Sequence, residues 1–156
     1  MEKEFLKSIH AYQKIVYKVC KIYRNSKEDQ EDLFQEIVYQ LWKSYPSFRG
    51  ESKISSWIYR IALNTAMTVY RKGKLNIEYF EEFPEQIHPY SESIVSENEE
   101  RLFSALRKLN DADKALVSLY LEDFSYREIS EITGISESNA GVRLNRIKNK
   151  LKQIIQ

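Results

Sequence analysis

The sequence predicts an all-α protein in which an acidic linker joins two small helical domains. Apolar residues recur at spacings of three and four through most of the 156 residues, which is the period of one face of a helix. Only 4 glycines and 3 prolines are present, too few for a disordered chain or a protein of strands and turns. Residues 77–100 lack this period and contain no Lys or Arg. We therefore expect domains at 1–76 and 101–156, with the linker at 77–100.

The first domain is predicted to contain three helices. An apolar stripe runs from Phe5 to Tyr23. Ser26 precedes the acidic turn of a second helix, where a hydroxyl can cap free amides and carboxylates favour the positive end. Pro46 ends that helix and a loop follows. A third helix, with its apolar side beginning at Ile54, is expected to end near Lys72.

The second domain contains the clearest local motif. Helical spacing resumes at about Glu99, and Ser125 to Glu128 form a capping box. Gly134 stands where a sharp bend favours positive φ. Ser136 then caps a longer helix whose inward side carries Ala140, Leu144, Ile147 and Leu151. This order predicts a helix-turn-helix. A helical hairpin with a basic, solvated end is the alternative, because such motifs also occur by chance.

Composition excludes several classes of protein. No apolar run reaches the roughly 18 residues of a membrane helix, and the charged start of the chain does not resemble a signal peptide. Cys20 is the only cysteine, so no disulfide is expected and the cytoplasm is the predicted compartment. With only His10 and His88 besides, we expect no metal site, no cofactor and no small-molecule substrate.

Charge is distributed unevenly along the chain. The net charge is +6 over residues 1–76, −8 over 77–100 and +3 over 101–156, for a total of +1. Two basic blocks suit a polyanionic partner. Two ordinary solvated domains with an acidic linker explain the same numbers. Charge alone leaves these two interpretations open.

The predicted final helix has an outward face suited to duplex DNA. Asn can bond adenine in two places, Arg can bond guanine, and Val can contact a thymine methyl group. The outward residues are Ser138, Asn139, Val142, Asn145, Arg146 and Asn149. Cations for phosphates are supplied by Arg143, Arg146, Lys148, Lys150 and Lys152.

The second and third helices also have polar faces. Asp32, Glu36, Tyr39 and Lys43 lie opposite the apolar stripe of the second helix, with Gln35 beside them. A solvated face explains them equally. A catalytic carboxylate pair is disfavoured, since no base or metal set accompanies it. The third helix has an outer stripe of Lys53, Ser56, Arg60, Asn64, Met67 and Arg71, preceded by Phe48 and Arg49. Cations beside a ring suit single-stranded nucleic acid. Trp57 is expected in the core, whereas Phe48 fits either role.

These motifs, taken in order, resemble those of bacterial sigma factors. The segments 32–36 (DLFQE), 48–52 (FRGES) and 57–64 (WIYRIALN) resemble region two. The segments 125–129 (SYREI), 134–136 (GIS) and 143–146 (RLNR) resemble region four. A short chain with only a linker between the two regions is similar to the extracytoplasmic-function group. Each motif alone is moderate evidence, but both in the right order are strong evidence.

The resemblance implies specific roles for these residues. Asp32, Gln35, Glu36 and Tyr39 would bind the clamp helices of the polymerase β′ subunit. The unwound promoter strand would contact Phe48, Arg49, Lys53, Arg60 and Asn64. The duplex upstream element would contact Ser136, Ser138, Asn139, Val142, Arg143 and Arg146. Further implied contacts are the polymerase β flap and, as an open possibility, an anti-sigma protein.

The sequence departs from the family pattern at three places. Asn110-Asp111 stands where Leu-Pro is usual, and Ser130 where Ala is usual. Gly141 interrupts the recognition helix and should weaken it by about 1 kcal/mol, unless it allows a close approach of the backbone to DNA.

The predicted function is a sigma factor that binds core RNA polymerase, directs it to promoters and assists melting, with no catalysis of its own. The alternative is a homodimeric helix-turn-helix repressor or activator with a helical sensing domain, which would bind half-sites about one DNA turn apart. An enzyme targeted by a helix-turn-helix is a third class, disfavoured by the missing catalytic residues.

Overall fold

The computed structural model describes residues 2–72 and 96–155, and seven α-helices with no strand lie in those ranges. The predicted all-α fold is therefore confirmed. The chain divides into two compact units, residues 1–91 and 92–156. Each unit is described by itself below. Most of the predicted acidic linker lies outside the described residues.

The first unit is a bundle of three helices in which every helix contacts the other two. Helix α1 spans Glu2–Tyr23, α2 spans Lys27–Ser44 and α3 spans Ile54–Lys72. A one-turn 3₁₀ helix at Tyr45–Ser47 follows α2, as expected where Pro46 prevents continuation of an α-helix. The Ser26 hydroxyl accepts a hydrogen bond from the Asp29 amide at 3.1 Å, which confirms the predicted cap.

The core of this unit comes from the apolar sides of α1, α2 and α3. The fully buried side chains include Phe5, Val19, Leu33, Phe34, Ile37, Val38, Leu41, Ile58, Ala62 and Ala66. Arg24 and Gln30 stabilise the connections between the helices. The Arg24 guanidinium donates to the Ala66 carbonyl in α3 at 3.0 Å, and the Gln30 amide donates to the Arg24 carbonyl at 3.1 Å.

The described residues of the second unit form four helices, and three of them, α4, α5 and α6, pack against the fourth, α7. Helix α4 spans Glu97–Arg107, α5 Asp111–Leu121, α6 Tyr126–Thr133 and α7 Glu137–Ile155. Helix α4 begins earlier than the sequence pattern indicates, inside the stretch predicted as linker. The reason is local: Ser96 accepts a hydrogen bond from the Glu99 amide at 3.2 Å and thereby caps the helix. The acidic side chains of this first turn lie at the positive end of α4, where they stabilise it.

Helices α6 and α7 form the predicted helix-turn-helix. Ser125 and Glu128 complete both hydrogen bonds of the capping box, at 3.1 and 3.0 Å. Gly134 ends α6 with φ of 80°, a conformation that glycine adopts without steric cost. The Asn110 side chain caps α5 by accepting from the Asp113 amide at 2.8 Å. The departure from Leu-Pro at this position therefore still provides a good cap.

Candidate nucleic-acid interface

The polar face of α2 presents fewer side chains than the sequence indicates. Asp32 is exposed, and Gln35 and Tyr39 are half-buried. Glu36 is only 2 % exposed, so its predicted place on this surface is wrong. Because α2 packs against both α1 and α3, its buried arc is wider than the single apolar stripe from which an outward face is deduced.

The Glu36 carboxyl is held inside the first unit by one hydrogen bond. Its Oε1 accepts from the Gln40 side-chain amide at 3.0 Å, one helical turn away. Its Oε2 is buried and has no hydrogen-bond partner in the described part of the chain. Burial raises the pKa of Glu36, although the Gln40 hydrogen bond and the charge of Lys43 oppose the shift. Glu36 is therefore part of the buried side of α2 and not of its polar face.

A chain of aromatic rings connects the core to the loop before α3. The Phe5 ring lies 5.3 Å from that of Tyr45, Tyr45 lies 6.2 Å from Trp57, and Trp57 lies 4.9 Å from Phe48. The sequence predicts Trp57 in the core, but it is half-buried, as is Phe48. Phe48 packs on Trp57 and is half-buried, and its contact with single-stranded nucleic acid stays a prediction.

Several polar residues of α3 and of the loop before it lie close to Phe48 and Trp57 in the sequence. Arg49, Lys53, Arg60 and Asn64 are exposed. Lys53 immediately precedes α3, and the loop turns at Gly50 with φ of 73°. Ser56 is predicted in the same outer stripe, yet it is only 8 % exposed. Like α2, α3 packs against two helices, and this narrows its free face.

The recognition helix α7 has the predicted inner and outer sides. Ala140, Leu144 and Ile147 are buried, whereas Leu151, predicted on the same inner side, is only half-buried. The exposed side chains on the opposite side are Ser138, Asn139, Val142, Asn145, Arg146 and Asn149. The hydroxyl of Ser136 accepts from the Asn139 amide at 3.2 Å. The Ser136 hydroxyl oxygen therefore already accepts one hydrogen bond as the helix cap. Its expected contact with the duplex has to use its hydroxyl proton or its second lone pair.

Two cations at the borders of this outer side have protein partners. Arg143 is half-buried, and its Nη2 lies 3.1 Å from Oδ1 of Asp113 in α5. The Lys148 Nζ lies 4.2 Å from the centre of the Tyr120 ring. A hydrogen bond to Tyr120 is the main reason that the pKa of Lys148 is raised. Both cations are thus positioned by α5, which spacing along α7 does not reveal.

The structure adds two residues that the sequence analysis did not select. Tyr126, the first residue of α6, packs against Gly141 in the second turn of α7. The side chain of the neighbouring Arg127 is 81 % exposed, and its Nε lies 3.5 Å from Oε1 of Glu131. The sequence offered one signal for this contact: Tyr126 is an aromatic residue next to the capping Ser125, and Gly141 lies inside the following helix. Spacing alone does not reveal it, because spacing does not pair residues on different helices.

The described residues contain no group of three or more His, Cys, Asp or Glu side chains placed to hold a metal ion. Within the same ranges, no helix has the length and apolarity to cross a membrane. Cys20 is buried, and burial raises the pKa of its thiol.

Family models match both units of the chain. The model "Sigma-70 region 2" matches residues 9–75, and "Sigma-70, region 4" matches residues 99–151. The RNA polymerase sigma factor SigZ of Bacillus subtilis is 34 % identical over 140 residues, covering 85 % of this chain and 76 % of that protein. The chain belongs to the family of RNA polymerase sigma factors. As a sigma factor, it directs RNA polymerase in transcription initiation.

A further relative places the chain in the extracytoplasmic-function group of these sigma factors, and two solved structures share its fold. The ECF RNA polymerase sigma-E factor of Haemophilus influenzae is 30 % identical over 145 residues, covering 84 % of this chain and 77 % of that protein. The fold is similar to CnrH, in a complex with the cytosolic domain of CnrY, with a TM-score of 0.71, 17 % identity, and coverage of 99 % and 89 % of the two chains. RpoE of Bartonella quintana, in complex with the anti-sigma factor NepR, gives a TM-score of 0.69 at 20 % identity, with coverage of 99 % and 95 %.

Proposed function

We propose that three surfaces of this sigma factor divide the work of initiation. The polymerase surface consists of Asp32, Gln35 and Tyr39 on α2, and it binds the clamp helices of the β′ subunit. Exposure of the Asp32 carboxylate supports this assignment. Glu36 is left out of the surface because it is buried. A contact between the second unit and the β flap is part of the same proposal.

The other two surfaces bind promoter DNA. The strand surface binds the unwound promoter strand, and we assign it to Phe48, Arg49, Lys53, Arg60 and Asn64. The duplex surface lies on α7 and begins after the Ser136 cap, with Ser138, Asn139, Val142, Arg143 and Arg146. Arg143 has five N–H donors, so its bond to Asp113 leaves others for a phosphate oxygen.

The observation that carries the proposal is the two-sided character of α7. One side is buried as Ala140, Leu144 and Ile147, and the other is exposed and rich in Asn and Arg. An α-helix fits the major groove, where Asn and Arg have complementary partners on base edges. The Ser136 cap also lies at the positive end of α7, which favours phosphate.

Transcription by reconstituted holoenzyme tests the polymerase surface. Asp32→Lys should abolish stable binding to core polymerase and remove transcripts that start at defined sites. The fold should be unaffected, because exposed charges contribute little to stability. Glu4→Lys, an exposed charge reversal on α1, is the matched control and should bind core polymerase like the parent protein. Core affinity of Asp32→Lys within a few-fold of the parent would reject the polymerase surface.

We further propose that the protein acts in the cytoplasm and has no catalytic role of its own, phosphodiester formation being left to the polymerase. The alternative, a homodimeric helix-turn-helix regulator, predicts a dimer that binds a two-fold site without polymerase. Sedimentation of the free protein and footprinting with and without core polymerase separate the two functions.

An anti-sigma protein is a further partner that we propose. Its support is the likeness of the fold to CnrH, solved in complex with the cytosolic domain of CnrY, and to the sigma factor RpoE, solved in complex with the anti-sigma factor NepR. Purification of the tagged chain from its own host, followed by mass spectrometry, tests this. If the tagged chain is recovered with core polymerase subunits alone, under both inducing and resting growth, the proposed anti-sigma partner is rejected.

A further inference from the structure

Val142 lies on the proposed duplex surface of α7, and the ring of Tyr126, at the start of α6, packs against the same helix at Gly141. Val142 is 51 % exposed and Tyr126 is 37 % exposed. A methyl group built on Gly141 would lie 3.3 Å from Cε2 of Tyr126, so the ring rests against bare backbone of α7. Gly141 immediately precedes Val142 in the chain. Successive residues point about 100° apart around the helix axis, so the Tyr126 ring lies on the side of α7 next to that of Val142.

Val142 occupies the middle of the outward side of α7. At about 100° per residue, it lies opposite the buried residues Ala140 and Ile147. Asn139, Asn145 and Arg146 lie around it and are all exposed. An apolar side chain here contributes nothing to the core of the unit, and it interrupts a polar face. Its position therefore points to a contact outside the chain.

The surrounding charge indicates which partner fits this apolar site. Arg146, Lys150 and Lys152 of α7 are exposed, as is Arg127 beside Tyr126. Such a cationic border matches a phosphate backbone. Inside the major groove, the 5-methyl group of thymine is the apolar feature that distinguishes one base from the other three. Val142 and the Tyr126 ring have carbon surface to place against it.

We propose that Val142 and Tyr126, with the ring seated on Gly141, form a thymine-specific contact in the upstream duplex element. This rests on the proposed function, which places α7 in the major groove. Gly141 is the positioning residue, because any side chain there meets the ring. The missing side chain at Gly141 then makes space for the ring of Tyr126.

Replacement of thymine by deoxyuridine removes only the methyl group and tests the proposal directly. Holoenzyme is first used to enrich duplexes from a library randomised across the upstream element. Each thymine of the enriched duplex is then replaced in turn by deoxyuridine. We expect holoenzyme affinity to fall about fourfold at one or two adjacent positions, the effect of uncovering one methyl group. Val142→Ala should abolish this discrimination at one of them.

Matched variants separate the two side chains. Tyr126→Phe keeps the ring and should keep the discrimination, whereas Gly141→Ala displaces the ring and should reduce it. Ile155→Ala is the control, because Ile155 is an exposed apolar residue near the end of the same helix, 48 % exposed. It should discriminate thymine from deoxyuridine like the parent protein.

The outcomes distinguish this inference from the function on which it rests. Equal affinity for thymine and deoxyuridine at every position, with Asn139→Ala still impaired on the enriched element, would overturn the inference alone. Discrimination that persists undiminished in both Val142→Ala and Gly141→Ala would also overturn it. A holoenzyme that enriches no upstream sequence would overturn both the inference and the duplex surface of the proposed function.

Discussion

Arg143 of α7 and Asp113 of α5 form an ion pair, with Nη2 3.1 Å from Oδ1. The pair joins the recognition helix to the helix whose first turn contains Asp113, and neither side chain is fully exposed: 34 % for Arg143 and 17 % for Asp113. It fixes one cation of the proposed duplex surface before any DNA is present. A preset side chain loses less conformational freedom when it binds phosphate.

A double-mutant cycle should detect this pair in the stability of the second unit. We expect Asp113→Ala and Arg143→Ala to show a coupling free energy of about 0.2–1 kcal/mol, the range for partly solvated ion pairs. Amide NMR signals of α7 during denaturation report this unit in the full chain. Strictly additive effects of the two substitutions would show that the pair contributes nothing.

Asn139→Ala should weaken binding in a sequence-dependent way. Asn139 is exposed in the first turn of α7, where helix-turn-helix proteins contact base edges. Loss of its side chain should cost about 1–3 kcal/mol on the preferred upstream element and little on a scrambled one. Holoenzyme titrated with both duplexes gives the comparison. Equal losses on the two duplexes would remove Asn139 from the base-contacting set.

Arg143→Ala should behave in the opposite manner. A phosphate contact is independent of sequence, so affinity should fall equally for matched and scrambled duplexes. The slope of log affinity against log salt should decrease by about one unit, because one counterion fewer is released. A changed preferred sequence in this variant would instead place Arg143 on a base.

Glu36→Gln should stabilise the first unit at neutral and higher pH. The folded-state pKa of Glu36 is raised by burial, so its favourable contribution is complete below the unfolded value of about 4.3 and is lost as pH rises through the folded value. A glutamine side chain in the same place has no charge to bury. The gain in stability over the parent should therefore shrink as pH falls.

Fluorescence of Trp42 and Trp57, both in the first unit, follows this unfolding across pH. Asp32→Asn changes an exposed acid on the same helix and is the matched control. A difference between Glu36→Gln and the parent that does not vary with pH would show that Glu36 is uncharged throughout, or is solvated when it ionises.

Phe48→Ala should weaken capture of single-stranded promoter DNA. Phe48 is half-buried against Trp57, so part of its ring is available for a base. Stacking of one base on a ring contributes about 1–3 kcal/mol. Phe48→Trp retains an aromatic surface and should bind a non-template-strand oligonucleotide nearly as well as the parent holoenzyme. Equal binding by Phe48→Ala would assign the ring to loop packing alone.

The sequence predicted the local structure of this protein in detail. The caps at Ser26, Ser125 and Ser136 are all formed as expected, as is the positive φ of Gly134. Each depends on groups a few residues apart, so the motif contains all the atoms involved. The inner side of α7 follows from helical period for the same reason. The order of the two sets of motifs then indicated the family.

Only the tertiary structure decided how the faces of the helices are used. Burial of Glu36 and Ser56 depends on two neighbouring helices, which cover more of α2 and α3 than one apolar stripe predicts. The partner of Arg143 is 30 positions away, and Tyr126 meets Gly141 across a turn. Period along one helix gives the direction of each side chain. Which atoms lie in that direction is set by the packing of other helices, and packing distance is not encoded in local spacing.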